Sequence, residues 1–358
     1  MIRQNFNADW TVEKGDGNSR MNSFLGNTQT KTVHLPYDAM IHEARTPDTK
    51  NGAQTGFYPG GEYIFQKHFT APQAWQGKPV SLVFEGVYQT ALVYLNGWLL
   101  TRNVNGYAEF TVEAGPYLKY GADNLLKVIA DNSLEPNSRW YTGSGIYRPV
   151  RLLVGNKVYL PQDTVRITTR EVGEGFALLD VTAQVQSAST VTERVTLQQT
   201  ICREGTAVLT DRQNLLLQPG ESRTVSFRYC VDSPALWSPE NPNLYTSTMQ
   251  VLEGEEELDR EETRFGIRTL SIDAAHGVRI NGQTVKLRGA CIHHDNGILG
   301  AATLPDAEER RIRQLKEAGF NAIRSSHHPA GRALLDACDR YGVLVMDELS
   351  DVWNLRKN

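Results

Sequence analysis

Histidine, arginine and carboxylate side chains are concentrated near the end of the 358-residue sequence. They follow three short apolar segments, as His293-His294-Asp295, as Arg324 with Ser326-His327-His328, and as Asp347-Glu348. Four of the eight histidines of the chain fall in the first two groups. Arginine offers a rigid fork of donors and neutral histidine both donates and accepts, so together these groups can hold a polyhydroxylated ligand.

The elements that would position these groups alternate between strands and helices. The apolar pattern predicts strands at 285–292, 321–324 and 343–346 and helices at 306–318 and 332–341. Asp306 and Glu309 predict a capping box, Gly319 predicts a left-handed helix end, and the continuous third strand predicts burial on both faces. Functional residues of a parallel α/β barrel follow the carboxyl ends of its strands, so the polar groups should meet at one rim.

Two other interpretations of the same residues are open. Each group could merely satisfy backbone groups at a strand end, as buried polar side chains generally do. A metal-dependent hydrolase could use His293, His294, Asp295 and Asp347 as ligands. Adjacent histidines on a strand point to opposite sides, however, which argues against His293 and His294 sharing one ion. We therefore expect no metal and no cofactor at this site.

The sequence before residue 271 predicts two all-β domains. Residues 1–155 contain short alternating segments separated by Gly, Pro and Asn, which predicts a β-sandwich with a tight hairpin at Asn96-Gly97. Residues 156–270 contain about seven short strands with turn signals between them, as in an immunoglobulin-like sandwich. The predicted fold class is multidomain, and the third domain, 271–358, is the beginning of a (β/α)8 TIM barrel.

Composition excludes several classes of partner. The chain is 40% hydrophobic and 22% charged, with a formal net charge of −4 and no basic block, so neither nucleic acid nor a membrane is expected as a partner. The four cysteines are widely spaced, which argues against a disulfide framework. The polar N-terminus has no apolar segment of signal-peptide length, which predicts a cytoplasmic protein; a mature secreted protein would show the same start.

Several strings, in order along the chain, resemble those of glycoside hydrolase family 2, the β-galactosidase type. The strings in the jelly-roll sugar-binding domain of that family are FEGVYQTALVYLNG (84–97) and SRWYTGSGIYRPVRLL (138–153). Those at the end of its immunoglobulin-like domain are LWSPENPNLY (236–245) and RFGIRTL (264–270), and those at the start of its barrel are LRGACIHHD (287–295), GFNAIRSSHHP (319–329) and DELSDVW (347–353). The resemblance covers nearly the whole chain.

The resemblance implies a retaining β-glycosidase with two glutamates about 5 Å apart. In the family the acid/base glutamate follows an asparagine, and no Asn-Glu pair occurs after Leu287. We therefore expect a truncated chain that has no catalytic residue and is inactive alone. Glu348 matches the third-strand motif, where a carboxylate orders neighbouring side chains.

The resemblance also implies sugar-binding residues. His293 and His327 match sugar-contacting histidines, and Arg324 matches an arginine that orients the acid/base region. The full set of predicted substrate-binding residues is His293, His294, Asp295, Arg324, His327, Glu348, Arg139 and Trp140. Core packing is expected for Tyr147, whereas Trp140 could stack on a sugar.

Two departures from the family pattern affect the ligands that we expect. Arg139 stands where relatives have a sugar-contacting aspartate. Ser350-Asp351-Val352-Trp353 replaces a magnesium motif, so no magnesium is expected there.

The expected substrate is a carbohydrate with a terminal β-linked sugar, most simply a β-galactoside. A β-glucuronidase, a β-mannosidase and a non-catalytic carbohydrate-binding or structural module are the alternatives. Relatives of this type often form oligomers, so the protein can be a homo-oligomer.

Overall fold

The computed structural model describes residues 1–15, 30–49, 51–134 and 137–350. The end of the predicted third domain and three of the four residues that replace the magnesium motif, 351–353, lie outside the described residues.

Ten strands among the described residues form the first sandwich. They are β1 Ile2–Asn5, β2 Trp10–Lys14, β3 Lys31–Val33, β4 Gly61–Thr70, β5 Val80–Phe84, β6 Thr90–Leu95, β7 Trp98–Asn103, β8 Phe110–Glu113, β9 Asp123–Asn132 and β10 Val150–Val154. One sheet has the order β1-β10-β5-β8 and the other has the order β3-β2-β4-β9-β6-β7. Side chains of both sheets share one buried core, with Trp10, Phe65 and Phe84 fully buried. This is the predicted jelly-roll sandwich.

The hairpin between β6 and β7 confirms the prediction made from Asn96-Gly97. Both turn residues have positive φ, 52° at Asn96 and 90° at Gly97. Such angles are those of a type I′ turn, whose twist suits two antiparallel strands.

Eight strands form the second sandwich. They are β11 Val158–Tyr159, β12 Arg166–Gly173, β13 Phe176–Ser187, β14 Glu193–Arg203, β15 Thr206–Leu217, β16 Ser222–Asp232, β17 Tyr245–Glu253 and β18 Glu256–Phe265. Antiparallel β11, β12 and β16 pair with β13, and the facing sheet has the order β15-β14-β17-β18. Period-2 alternation along β13 buries every second residue in a separate core. The arrangement is the predicted immunoglobulin-like sandwich.

The chain then forms a small antiparallel sheet and the start of a barrel. The small sheet consists of β19 Leu270–Asp273, β20 Gly277–Ile280 and β21 Gln283–Thr284. The barrel segment consists of β22 Gly289–Ile292, α1 Pro305–Glu317, β23 Ala322–Ser325, α2 Arg332–Tyr341 and β24 Leu344–Met346. Strands β22, β23 and β24 are parallel neighbours in this order, as at the beginning of a TIM barrel.

The capping box predicted at Asp306 and Glu309 is wrong. Helix α1 begins at Pro305, so its N-cap residue is Leu304, which has no side-chain acceptor, and Asp306 lies inside the first turn. Glu309 instead accepts hydrogen bonds from Arg340 and Tyr341 of α2, at 2.6 and 3.0 Å. The helix end does have the predicted left-handed glycine, Gly319, with φ of 88°.

Two predictions about the barrel strands also need correction. The apolar segment 285–292 is divided, and only Gly289–Ile292 pairs with β23. Strand β24 is not covered on both faces, since Met346 is 61% exposed. Its position at the edge of the described three-stranded sheet explains this exposure.

Side chains from all three parts hold the barrel segment against the two sandwiches. Arg332 at the start of α2 binds Glu109 of the first sandwich at 2.8 Å and Asp163 of the second at 3.1 Å. Trp237 of the second sandwich donates to the carbonyl of Asp339 at 2.9 Å. In the part of the chain that the structure describes, no helix has the length and apolar character needed to cross a membrane.

Candidate functional site

The register of the barrel strands brings the three polar groups to one edge. Ile292 is paired with Ser325, and Arg324 is paired with Met346. The residues that follow these pairs therefore leave the sheet side by side. This confirms the convergence that the sequence predicts.

Glu348 holds two of the predicted residues together. One carboxylate oxygen accepts a short hydrogen bond from Nε of Arg324, and the other lies 2.6 Å from Nδ1 of His327. Burial raises the pKa of Glu348, but the hydrogen bonds from Arg324 and His327 outweigh it and hold the pKa below its ordinary value. Glu348 is thus an ionised group that orients its two neighbours.

The partners of His293 and His327 fix which ring nitrogen each presents. Nδ1 of His293 lies 2.5 Å from the carbonyl of Ser326, so this nitrogen carries the hydrogen. Nδ1 of His327 faces the carboxylate of Glu348 and likewise donates. The two rings are 6.4 Å apart. Each therefore keeps Nε2 for a ligand, and in the neutral ring Nε2 is an acceptor suited to a hydroxyl group.

Trp140 reaches this cluster from the first sandwich. Its ring stacks on His293 with centroids 4.9 Å apart and an interplanar angle of 6°, and meets His327 edge-on at 5.6 Å. The indole is 8% exposed, so the face predicted to stack on a sugar is covered by His293. Arg139 beside it is exposed. Trp140 supports the histidines by packing.

His294 is the clearest correction to the predicted set. It is 6% exposed, its Nε2 donates to the carbonyl of Thr142 at 2.8 Å, and its ring packs against Tyr107 and Tyr147. Adjacent residues leaving a strand point in opposite directions, so His294 enters the contact with the first sandwich while His293 faces the cluster. His294 is not placed to contact a sugar. Tyr147 is fully buried, which confirms its predicted packing.

Asp295 is half-buried and contributes to the site through its backbone. Its carbonyl and that of His293 accept hydrogen bonds from Arg311 of α1, the latter at 2.8 Å. The helix thus fixes the loop after β22. Asp347, a ligand in the metal hypothesis, accepts from the backbone N–H of Ala330 at 2.8 Å. Among the described residues, no three His, Cys, Asp or Glu side chains form a group that could hold a metal ion.

Asp38 is a site residue that sequence reasoning missed. It is 1% exposed, and its carboxylate accepts from the hydroxyl of Tyr141 at 2.6 Å and from backbone N–H groups of Met40, Ser144 and Ala301 at 2.9–3.0 Å. Burial raises the pKa of Asp38, and these hydrogen bonds counteract part of the rise. Asp38 therefore ties the Trp140 segment to the loop after β22. A single aspartate so far from its partners in sequence gives no local signal.

Models of three domains of one family match the chain. They are described as the glycosyl hydrolase 2 galactose-binding domain-like model at residues 10–166, the glycosyl hydrolases family 2 model at 158–268 and the glycosyl hydrolases family 2 TIM barrel domain at 274–354. They follow one another along the chain in the order of the three structural parts described above.

Curated relatives extend the similarity over almost all of the chain. The β-galactosidase BoGH2A of Bacteroides ovatus is 37% identical over 99% of this chain and 42% of its own length. A putative β-glucuronidase of Formosa agariphila is 32% identical over 99% of this chain and 33% of its own length. The chain thus spans less than half the length of these relatives, which are β-glycosidases by name.

Solved structures give the same result for the fold. A glycosyl hydrolase family 2 member from Bacteroides cellulosilyticus superposes with a TM-score of 0.92 at 35% identity, covering 98% of this chain and 46% of that one. A β-glycosidase from Bacteroides vulgatus gives a TM-score of 0.90 at 31% identity, covering 100% of this chain and 46% of that one.

Proposed function

The chain belongs to glycoside hydrolase family 2, and we propose that it carries the sugar-binding part of a retaining β-glycosidase, most simply a β-galactosidase. The observation that carries the proposal is the cluster at the strand ends. There Glu348 orients Arg324 and His327, Trp140 backs His293, and two imidazole Nε2 atoms remain for hydroxyl groups. Hydroxyl recognition by such groups is a general feature of polar ligand sites.

We further propose that these 358 residues bind a sugar and do not cleave it. Glu348 is engaged with Arg324 and His327 and its pKa is lowered, whereas a general acid needs a raised pKa. The two glutamates that a retaining mechanism requires would then come from residues outside these 358. We place the three domains at 1–155, 156–270 and 271–358, which agrees with one buried core ending at Val154 and the next beginning at Val158.

The binding test uses methyl β-galactoside, β-glucuronide and β-mannoside, titrated into the 358-residue chain by calorimetry. His293→Ala and His327→Ala should each weaken the preferred glycoside about tenfold, because each removes one hydrogen bond to a hydroxyl of the ligand. The matched control is His276→Ala, since His276 is exposed and pairs with Asp273 away from the cluster. Unchanged affinity in both cluster variants would refute this assignment of the site.

The same glycosides discriminate the alternatives. A preference for the glucuronide would favour the β-glucuronidase alternative. Absence of binding to all three would favour a structural module. Hydrolysis of the corresponding nitrophenyl glycosides by the chain alone would contradict the proposal that its residues bind without cleaving.

A further inference from the structure

Three buried polar atoms without a hydrogen-bond partner belong to residues on the wall of one cavity. They are Nε of Arg148, Nδ1 of His294 and Nε2 of His328. The three residues are 3%, 6% and 2% exposed, so bulk water does not satisfy these atoms. The cavity lies between the first sandwich and the barrel segment and has a volume of about 10 Å³. That is about the space that the centre of one water molecule requires.

The other ring nitrogens determine what each imidazole presents to the cavity. Nε2 of His294 lies 2.8 Å from the carbonyl of Thr142, so it carries the hydrogen and Nδ1 is a bare acceptor. Nδ1 of His328 lies 3.1 Å from the carbonyl of Pro329, so it carries the hydrogen and Nε2 is a bare acceptor. Nε of Arg148 is always a donor. These three atoms therefore present one donor and two acceptors to the cavity.

We propose that this cavity is a binding site for a single water molecule. The water accepts a hydrogen bond from Nε of Arg148 and donates one hydrogen each to Nδ1 of His294 and Nε2 of His328. The two rings stand 4.9 Å apart at 84°, so their nitrogens approach the cavity from different directions. Buried waters typically make about three such bonds, and leaving buried polar groups unpaired is costly.

The chemistry of the wall excludes other small ligands. A chloride ion needs donors, and two of the three atoms are bare acceptors. A metal cation would lie beside the guanidinium of Arg148, and the described residues offer no group of three metal ligands. Glu308, which is 3% exposed and 3.7 Å from Arg311, also lines the cavity. Burial raises its pKa, which shows that negative charge is disfavoured at this place, so an anion bound beside Glu308 would be unfavourable.

The position of the water gives it a role in holding the cluster. His294 and His328 immediately follow His293 and His327 in the chain, and Arg148 belongs to the first sandwich. Arg148 also donates to the carbonyl of Pro329 at 2.9 Å. The water thus links both barrel loops to the sandwich and restrains the two outward histidines. This inference does not depend on which sugar, if any, the cluster binds.

Gly331 allows the water to be displaced without changing any of its partners. A Cβ at this residue would lie 3.3 Å from Nε of Arg148 and 3.5 Å from Cγ2 of Thr303, on the cavity wall. The backbone there has φ of −73°, which alanine adopts freely. Gly331→Ala therefore adds a methyl group to the cavity wall beside Nε of Arg148, and this narrows a space that holds at most one water molecule.

The experiment combines crystallography with ¹⁵N spectra of histidine-labelled protein, both on the 358-residue chain. The wild type should show one density peak about 2.7–3.2 Å from all three atoms, and the spectra should show Nε2–H at His294 and Nδ1–H at His328. In Gly331→Ala the peak should vanish, and Nδ1 of His294 should shift toward the value of a nitrogen that accepts no hydrogen bond. The melting temperature should fall by a few degrees.

Gly331 also caps α2, so its replacement changes that helix start. His294 lies on another loop, and its Nδ1 resonance therefore reports the water rather than the cap. The exposed His68 and His276, each beside an aspartate, should keep their resonances. A dry cavity, a bound ion, or the opposite tautomer at either buried histidine would each overturn the proposal.

Discussion

Asp38→Asn should loosen the junction between the first sandwich and the barrel segment. Oδ1 of Asp38 accepts from two backbone N–H groups, whereas Oδ2 accepts from one N–H and from the hydroxyl of Tyr141. The amide will turn its NH2 toward the Oδ2 side, because the Tyr141 hydroxyl can rotate and accept. The N–H of Ala301 then loses its acceptor. One buried unsatisfied donor costs about 1–3 kcal/mol, and Asp38→Ala, which deprives four donors, should cost at least about 4 kcal/mol.

Hydrogen exchange measures this effect locally, which suits a multidomain chain whose unfolding need not be two-state. In Asp38→Asn the amide of Ala301 should exchange about 5-fold to 150-fold faster, as expected for a loss of 1–3 kcal/mol. The amide of Ser144 should be less affected. The control is Asp123→Asn, since Asp123 is 63% exposed and pairs with His68 at the surface. Exchange at Ala301 no faster than in this control would refute the reasoning.

Three further predictions concern the same region. Gly300→Ala should lower the free energy of unfolding more than Gly254→Ala. Both glycines have φ near +60°, but only at Gly300 would a Cβ meet the Asp38 carboxylate, at 2.2 Å. Equal losses of unfolding free energy in urea would contradict this prediction. The ionised carboxylate of Glu348 should support sugar binding fully above pH 4.5, its ordinary pKa, and should lose this effect as the pH falls through its lowered pKa. Sugar affinity should therefore drop over this pH range in the wild type but not in E348Q. Burial lowers the pKa of His328 from 6.5 to about 4, so the free energy of unfolding should fall by about 3 kcal/mol in total as the pH falls between these values. In His328→Phe, acid titrations of unfolding should show one fewer proton taken up on unfolding over this pH range.

Local patterns in the sequence predicted the features of the fold that depend on neighbouring residues. The hairpin at Asn96-Gly97 follows from two residues that tolerate positive φ. The strands of the second sandwich follow from alternating residue types, which the structure shows as alternating burial. The convergence of the polar groups follows from the rule that parallel strands end at one edge. These inferences need no knowledge of distant contacts.

Long-range contacts set the limits of prediction. Asp38 binds Ala301 across 263 residues, and no periodicity or turn signal connects them. The capping box at Asp306 failed because the helix begins at Pro305, which puts Asp306 inside the first turn, and Glu309 pairs with Arg340 and Tyr341 of α2. The role of His294 depends on Thr142 of the first sandwich, which sequence spacing does not bring near.

The paired histidines explain why the site needs more than the barrel. Each of the two loops carries adjacent histidines, and in each pair one ring faces the cluster while the other faces the first sandwich. His293 and His327 therefore form the cluster, while His294 and His328 pack against Tyr107 of the first sandwich. Because Trp140 of that sandwich also backs His293, the orientation of both pairs depends on docking of the sandwich. A barrel without the first sandwich would keep the residues of the cluster and lose the contacts that hold their rings.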